Sequence, residues 1–237
     1  MIRFIATIFI AAMVQGMSGF GFSLVAMPFL AMVMPLKVLV PILVICSLAL
    51  NIIIFSKMTG KVHLKRITVL LIVGALSTPL GVQVLTVIDE RLLRGVVGSL
   101  VFFSALIMLR GVHVHFKNKQ LTYAITGFLS GVLNGSVSLS GPPVVLMLVN
   151  EGEEKNDFKK NISGYFLALN IFTIPSFFFK GLIDVYVMKM SAIGIIVLLI
   201  GATIGIRLGD RIDEKKFKMI VLFMIMIMGL MTITSIF

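Results

Sequence analysis

The stretch QGMSGFGFSLVAMP, residues 15–28, interrupts a segment without charged residues that runs from Phe4 to Leu36. Glycine weakens a helix, and proline removes one of its backbone hydrogen bonds. Inside a lipid bilayer, irregular backbone is tolerated only where it is buried in protein or lines a cavity. The stretch therefore predicts a helix break buried inside a membrane protein.

The composition of the whole chain supports a membrane protein. Of its 237 residues, 59% are hydrophobic and 13% are charged, and the mean hydropathy is +1.12. A soluble domain carries about 25% charged residues. Charge-free windows long enough to span a bilayer recur along the sequence. We predict an all-α polytopic membrane protein, and we expect the apolar N-terminal segment to be part of the mature chain.

Three sequence matches, in the same order in both halves, indicate an internal duplication. The stretch beginning at Gln15 aligns without gaps on SGVLNGSVSLSGPPVV, which begins at Ser130. LALN ends at both Asn51 and Asn170, and GVQVLTVIDERLLR from Gly81 matches GIRLGDRIDEKKFK from Gly205. The offsets are 115, 119 and 124 residues. We divide the chain into a first transmembrane repeat, 1–111, and a second, 119–237, within one membrane domain.

The two long charge-free windows, 4–36 and 121–150, predict that the repeats are inverted. Each window is too long for one crossing of a hydrocarbon core of about 30 Å, and each is broken near its middle. A broken or re-entrant N-terminal helix pair followed by three transmembrane helices gives each repeat an odd number of crossings. A window that crosses the bilayer twice gives the same sidedness, so that alternative stays open.

The distribution of positive charge agrees with this topology. The hairpin arrangement puts fifteen of the 21 lysines and arginines on one side, whereas a single crossing per window divides them almost evenly. Such clusters between apolar segments favour lipid over nucleic acid as the partner of the net charge of +11. We expect a multi-pass protein of the cell (plasma) membrane with both termini outside. Its cytoplasmic loops are 57–66, 110–119, 150–160 and 207–218.

Both breaks carry residues suited to binding a small anion. Glycine lets backbone N–H groups approach a ligand, and a half-helix that begins after a break directs a partial positive charge towards it. Hydroxyl and amide groups can complete the site. The candidate substrate-binding residues are Gln15, Ser18, Gly19, Gly21, Ser23, Asn51, Asn134, Gly135, Ser136, Ser138, Ser140, Gly141, Pro142 and Asn170.

Packing is the alternative interpretation for several of these residues. Small residues also allow helices to approach closely, and Asn51 and Asn170 are equally consistent with interhelical hydrogen bonds. For GFLSG (127–131) and GATIGIRLG (201–209) we predict packing faces.

The placement of charged residues narrows the substrate class. No Asp or Glu falls in the middle of a predicted crossing, which disfavours a cationic substrate. Arg207 is a candidate anion contact at a cytoplasmic gate, although a role as topology anchor accounts for it as well. The sequence contains no catalytic constellation and no metal-ligand spacing, so we predict no enzyme activity, metal or cofactor.

The paired elements QGMSGFGFSLVAMPFL and GFLSGVLNGSVSLSGPPVVLMLV resemble the TauE/SafE family of sulfite and sulfonate exporters, as does GATIGIRLGDRID near the end. The resemblance covers essentially the whole chain. It implies transport of small sulfur-containing or carboxylated anions. Phe20 and Phe22 stand where many members have glycines, as do Asn134 and Ser136, so the resemblance does not identify the substrate.

Three functional hypotheses follow from the sequence. The favoured one is a secondary transporter of small organic or sulfur-containing anions that works by alternating access around a midplane site. The others are a passive anion channel and a non-transporting membrane scaffold. The substrate, the direction of transport, a coupling ion (H⁺ or Na⁺) and a homo-oligomeric state are left open.

Overall fold

The structure is a computed structural model that describes residues 1–57, 59, 64–110, 118–151 and 155–209, and their regular secondary structure is α-helical. The described helices of the first half are α1 (Ile2–Ser18), α2 (Phe22–Ala31), α3 (Leu36–Lys57), α4 (Leu64–Val87) and α5 (Glu90–Arg110). Those of the second half are α6 (Lys119–Val137), α7 (Gly141–Asn150), α8 (Lys155–Phe179) and α9 (Val185–Gly209). The predicted last crossing, 219–237, and most of the predicted cytoplasmic loops 110–119 and 207–218 lie outside the described residues. Residues 155–160 of the predicted loop 150–160 are helical instead and form the start of α8.

The surface of these helices is that of a membrane protein. Within the described residues, four helices are long and apolar enough to cross a bilayer: α3, α8, α9 and the part of α4 from Ile67 to Val87. Ile72, Leu76 and Leu80, spaced four residues apart on α4, are all more than half exposed. Soluble proteins rarely expose such apolar faces. The prediction of an all-α polytopic membrane protein is confirmed.

Helix α3 forms the centre of the larger hydrophobic core. Its side chains Leu39, Leu43, Leu50 and Ile54 are fully buried, and it packs against α2, α8 and α9. Asn51 is also fully buried on this helix. A polar amide in this apolar setting needs a hydrogen-bond partner, since an unpaired one costs about 1–3 kcal/mol.

Both predicted breaks are present as left-handed turns between helices. Gly19 and Gly21 have φ values of 86° and 105°, a conformation that suits glycine, and they separate α1 from α2. Ser138, with φ 56°, ends α6 before α7 begins at Gly141. The chain thus changes direction between α1 and α2, and again between α6 and α7.

The second break is a hairpin in which α7 runs back along α6. The Ser130 hydroxyl donates to the carbonyl oxygen of Ser140 (2.9 Å) close to the break. The Tyr123 hydroxyl, near the start of α6, donates to the carboxylate of Glu151, just beyond the end of α7. Helices α2 and α7 have 10 residues each, or about 15 Å, roughly half of a hydrocarbon core. These lengths favour re-entrant hairpins over two full crossings.

Helices α3 and α8 pack against one another in antiparallel directions. Asn170 of α8 donates to the hydroxyl of Ser47, and Lys160 donates to the carbonyl of Phe55, further along α3. In parallel repeats two corresponding helices run the same way, whereas in inverted repeats they run in opposite directions. If α3 and α8 correspond, their packing is the one that inverted repeats require.

Two further pairs of helices pack closely against each other. Helix α1 packs on α9, and α6 packs on α4. A methyl group added at Gly16 of α1 would lie 2.7 Å from the carbonyl oxygen of Ala202, and one added at Gly135 of α6 would lie 2.5 Å from that of Thr78. The two glycines are 119 positions apart in the sequence, and the residues that they contact, Thr78 and Ala202, are 124 positions apart. The two contacts are therefore equivalent contacts in the two halves.

These glycine contacts confirm the predicted packing faces and correct one alignment. Gly127 and Gly131 lie against the backbone of α4, and Gly201 and Gly205 against that of α1. The gapless alignment of the two breaks at an offset of 115 is wrong by one helical turn, because the matched glycine contacts and the helix ends at Ser18 and Val137 correspond at 119. A shift of four residues keeps the same helix face, so the small-residue pattern alone does not reveal it.

Candidate functional site

The two breaks meet at a small cavity halfway along α3 and α8. Its lining includes Ser47 of α3 and Phe166 of α8. Each is the twelfth residue of its helix, which has 22 residues in α3 and 25 in α8. The remaining lining comes from α1, from the two breaks and from the first residues after them. Those residues are Gln15, Gly21, Phe22, Ser23, Leu24, Ser138, Leu139, Ser140 and Gly141.

The cavity is narrow in this conformation. The hydroxyl oxygens of Ser23, after the first break, and Ser138, in the second, form a hydrogen bond of 3.0 Å. The volume of the cavity is about 20 Å³. That is enough for about one water molecule. An oxyanion with four or more heavy atoms fits only if the breaks separate, which would release both hydroxyls.

A buried chain of side-chain hydrogen bonds connects the two halves behind the cavity. The Gln15 amide nitrogen donates to the Asn51 carbonyl oxygen (2.9 Å), and that of Asn134 donates to Asn170 (3.0 Å). Asn51 and Asn170 both donate to the hydroxyl of Ser47, at 3.0 and 3.1 Å. The chain runs without interruption from α1 to α6 and fixes both breaks relative to α3.

The hydroxyl of Ser47 is left with a proton to donate. Its oxygen accepts from two amide groups, which fills both of its acceptor positions. Among the described residues, no acceptor is found for its O–H group. Ser47 lines the cavity, so a ligand there meets a hydroxyl that is oriented by its neighbours as a donor.

The two half-helices differ in what they offer a ligand. Helix α2 begins at Phe22, whose N–H donates to the side-chain oxygen of Gln15 (3.1 Å). The following N–H groups, of Ser23 and Leu24, belong to a first turn without intrahelical acceptors. Helix α7 begins Gly-Pro-Pro, and proline has no N–H. The donors at the cavity therefore come mainly from α2.

The predicted site residues divide into two groups. Those that line the cavity are Gln15, Gly21, Ser23, Ser138, Ser140 and Gly141. The others are placed outside the lining: Ser18, Gly19, Asn51, Asn134, Gly135, Ser136, Pro142 and Asn170.

The second group has other contacts in this conformation. Ser18 and Ser136 donate to carbonyl oxygens of their own helices, of Val14 and Val132. Gly135 lies against the backbone of α4, as described above, so its contact is one of packing. Asn51, Asn134 and Asn170 form the hydrogen-bonded chain, where Asn134 also donates to Thr173 (2.8 Å).

Arg207, the candidate gate residue, does not line the cavity. Its side chain is exposed in the last turn of α9. A basic residue at that position interacts favourably with the helix dipole. Its role at a gate stays a prediction.

Sequence reasoning missed five lining residues: Phe22, Leu24, Ser47, Leu139 and Phe166. Four of them are apolar and carry no signal that separates them from ordinary membrane residues. Ser47 lies four residues before Asn51, on the same face of α3. The recurrence of LALN indicated that Asn51 is important, and Ser47, which directly precedes the first LALN, could have been included in the predicted site.

A family model described as sulfite exporter TauE/SafE matches residues 4–232. The chain belongs to the TauE/SafE family. The match spans both breaks, the described helices from Phe4 of α1 onward and most of the segment beyond α9, so it does not rest on one motif. Comparison with curated proteins and with solved structures gives no match.

Membership places the chain in a family of membrane transporters that is named for sulfite export. The predicted resemblance is confirmed, and a transporter family agrees with the expectation that the chain is not an enzyme. The helices and the family together identify a multi-pass membrane protein.

Proposed function

We propose that this TauE/SafE member is a secondary transporter of small organic or sulfur-containing anions, such as sulfite or a sulfonate. The observation that carries the proposal is the cavity where the two helix breaks meet, halfway along α3 and α8. Binding sites at broken helices near the bilayer midplane are typical of secondary transporters.

The chemistry of the lining suits an anion. Its polar groups are the hydroxyls of Ser23, Ser47 and Ser138, the amide of Gln15 and the backbone at the start of α2. No carboxylate lines the cavity among the described residues, so nothing there compensates a cation. A helix N-terminus with free N–H groups stabilises negative charge.

The transport mechanism would be alternating access between two inverted repeats, 1–111 and 119–237. Support comes from the antiparallel packing of α3 and α8 and from the matched glycine contacts of α1 and α6. Movement of one repeat relative to the other would break the Ser23–Ser138 hydrogen bond and open the cavity to one side. The plasma membrane, the cytoplasmic position of the basic loops and a coupling ion belong to this proposal.

Uptake into proteoliposomes tests the function. Labelled sulfite, sulfoacetate, taurine and acetate would be offered to wild type, Ser23→Leu, Ser138→Leu and the control Ser56→Leu, which alters an exposed serine on α3. We expect saturable uptake and counterflow of at least one anion, lost in both site variants and retained in the control. Flux without saturation or counterflow would indicate a channel. No flux of any of the four anions through correctly folded wild type would contradict the proposed substrate class.

A further inference from the structure

Lys159 is the one charged side chain that is buried among the residues whose burial the structure describes, with 4% of its surface exposed. It lies in the second turn of α8. A buried charge within a membrane-spanning segment is costly and commonly marks the pathway of an ion or substrate. A lysine that only anchors a helix end extends its ammonium group to the surface instead.

The side chain of Lys159 lies against the first helix break. A methyl group added at Gly19 would come within 2.8 Å of Cγ of Lys159 and 3.3 Å of its Cα and Cβ atoms. The neighbouring rings of Phe158 and Phe20 pack edge to face, 6.0 Å apart. Gly21, two residues beyond Gly19, lines the cavity. The start of α8 is therefore in contact with the backbone that forms one wall of the site.

One face of α8 leads from Lys159 to the cavity. Lys159, Ser163 and Phe166 are spaced i, i+4 and i+7, so they lie on the same side of the helix, over about 10 Å of its length. The Ser163 hydroxyl is completely buried and has no hydrogen-bond partner. Phe166 lines the cavity. An unpartnered buried hydroxyl is unfavourable unless something binds it at another stage.

We propose that Lys159 and Ser163 line the path by which the anion reaches the cavity from the N-terminal end of α8, with Phe166 as the barrier between path and cavity. This inference rests on the proposed function and assigns an access route to it. Lys159 attracts the anion into the protein, Ser163 donates a hydrogen bond to it on the way, and rotation of the Phe166 ring admits it.

The polar side chains of this route are present on α8 but not at the corresponding positions of α3. At the spacing of 119 that relates α3 to α8, Lys159 corresponds to Val40 and Ser163 to Val44, and both valines are fully buried. The first half therefore lacks a charged or hydroxyl side chain at these positions. The two routes to the cavity have different chemistry, and the side with Lys159 is the one that concentrates anions.

Modification of a thiol introduced as Ser163→Cys tests the route without knowledge of the substrate. The variant is made together with Cys46→Ala, which removes the native thiol. Its reaction rates with the anionic sulfonatoethyl methanethiosulfonate and the cationic trimethylammonioethyl methanethiosulfonate are measured in purified protein. The ratio of the two rates reports the charge that a reagent meets on the path.

We expect the anionic reagent to react faster, and Lys159→Met to lower the rate ratio by roughly tenfold or more, since the lost charge lies about 6 Å away along the helix. Lys159→Arg should keep the ratio. The matched control Lys160→Met removes the adjacent positive charge, whose ammonium group lies at Phe55 of α3. Because Lys160 is only half-buried, solvent screens its charge more strongly, and the ratio should change by less than about twofold.

Two results would overturn the proposal: a thiol that neither reagent modifies, or a rate ratio that Lys159→Met and Lys160→Met change equally. Because the readout needs no transported substrate, it is separate from the uptake assay. An anion-selective path in a protein without flux would support the path itself and contradict the proposed function. Anion flux in a protein without an anion-selective path would support the proposed function and contradict this inference.

Discussion

At the scale of single residues, the site is organised by a chain of buried amide groups, of which only that of Gln15 lines the cavity. Gln15 and Asn134 each donate to an asparagine 36 positions later, and both asparagines donate to Ser47. Ser47 is thereby held as a hydrogen-bond donor that faces the cavity. The four amides of this chain are buried and Ser47 is half-buried. In such surroundings a satisfied network fixes one geometry, and a broken one is costly.

Replacement of Ser47 by alanine tests this orientation. The variant lacks the donor at the cavity, and we expect the half-saturating anion concentration to rise by roughly three- to tenfold, the usual worth of one hydrogen bond. Uptake into proteoliposomes at increasing anion concentration measures it. Ser56→Ala is the control, since that hydroxyl donates to the carbonyl of Ile53 on the exposed end of α3. Equal affinities in the two variants would show that Ser47 does not contact the anion.

At the scale of helices, glycine contacts hold the two halves together. Gly81 of α4 lies against the backbone of Val132, and Gly205 of α9 lies against that of Met13. Close contact of this kind drives helix association in membranes, where the hydrophobic effect does not act between helices. The half-helix α2 is fixed differently, by the Arg94 guanidinium of α5, which donates to the carbonyl of Ala31.

Alanine at Gly81 or Gly205 should separate the paired helices. In each case the added methyl group overlaps backbone atoms that have no room to move, so we expect both variants to have a clearly lower apparent melting temperature in detergent. Gly141→Ala is the control, because its methyl group would meet only the Phe166 ring at 3.7 Å. Melting temperatures equal to that of Gly141→Ala would mean that these contacts do not limit stability.

The sequence predicted the helices and both breaks, because glycine, serine and proline clustered in a charge-free segment disfavour an uninterrupted helix. It also predicted the packing role of Gly201 and Gly205, whose spacing is typical of helix contacts. It could not predict which break residues face the cavity. Ser18 and Ser23 are both hydroxyls beside the first break, yet Ser18 donates to its own helix and Ser23 reaches across to Ser138. That difference depends on the turn geometry at Gly19 and Gly21.

At the scale of the whole molecule, the arrangement of helices makes a prediction about sidedness. If α3 and α8 cross the bilayer in opposite directions, the connection after α3 lies on the side of the α8 N-terminus, and the connection after α8 lies on the other. Thr59 is exposed after α3, and Lys180 follows α8. From the positive-inside rule, we predict that the first of these positions lies in the cytoplasm.

Labelling of intact cells tests the sidedness. In a Cys46→Ala background, we expect a membrane-impermeant maleimide to label Lys180→Cys in intact cells and Thr59→Cys only after permeabilisation. Labelling of both variants from the same side would contradict the inverted arrangement. Labelling of each from the opposite side would keep the repeats inverted and reverse the orientation of the protein.

The most direct test of the central claim is a cross-link between the two breaks. In a Cys46→Ala background, Ser23→Cys and Ser138→Cys place two thiols where the hydroxyl oxygens lie 3.0 Å apart. Uptake of an anion that wild type transports is measured after oxidation and again after reduction. Sulfite is left out because it cleaves disulfides. If transport requires the breaks to separate, oxidation will abolish uptake, reduction will restore it, and each single variant will remain active throughout. Undiminished uptake by the fully cross-linked protein would show that the anion does not pass between the breaks.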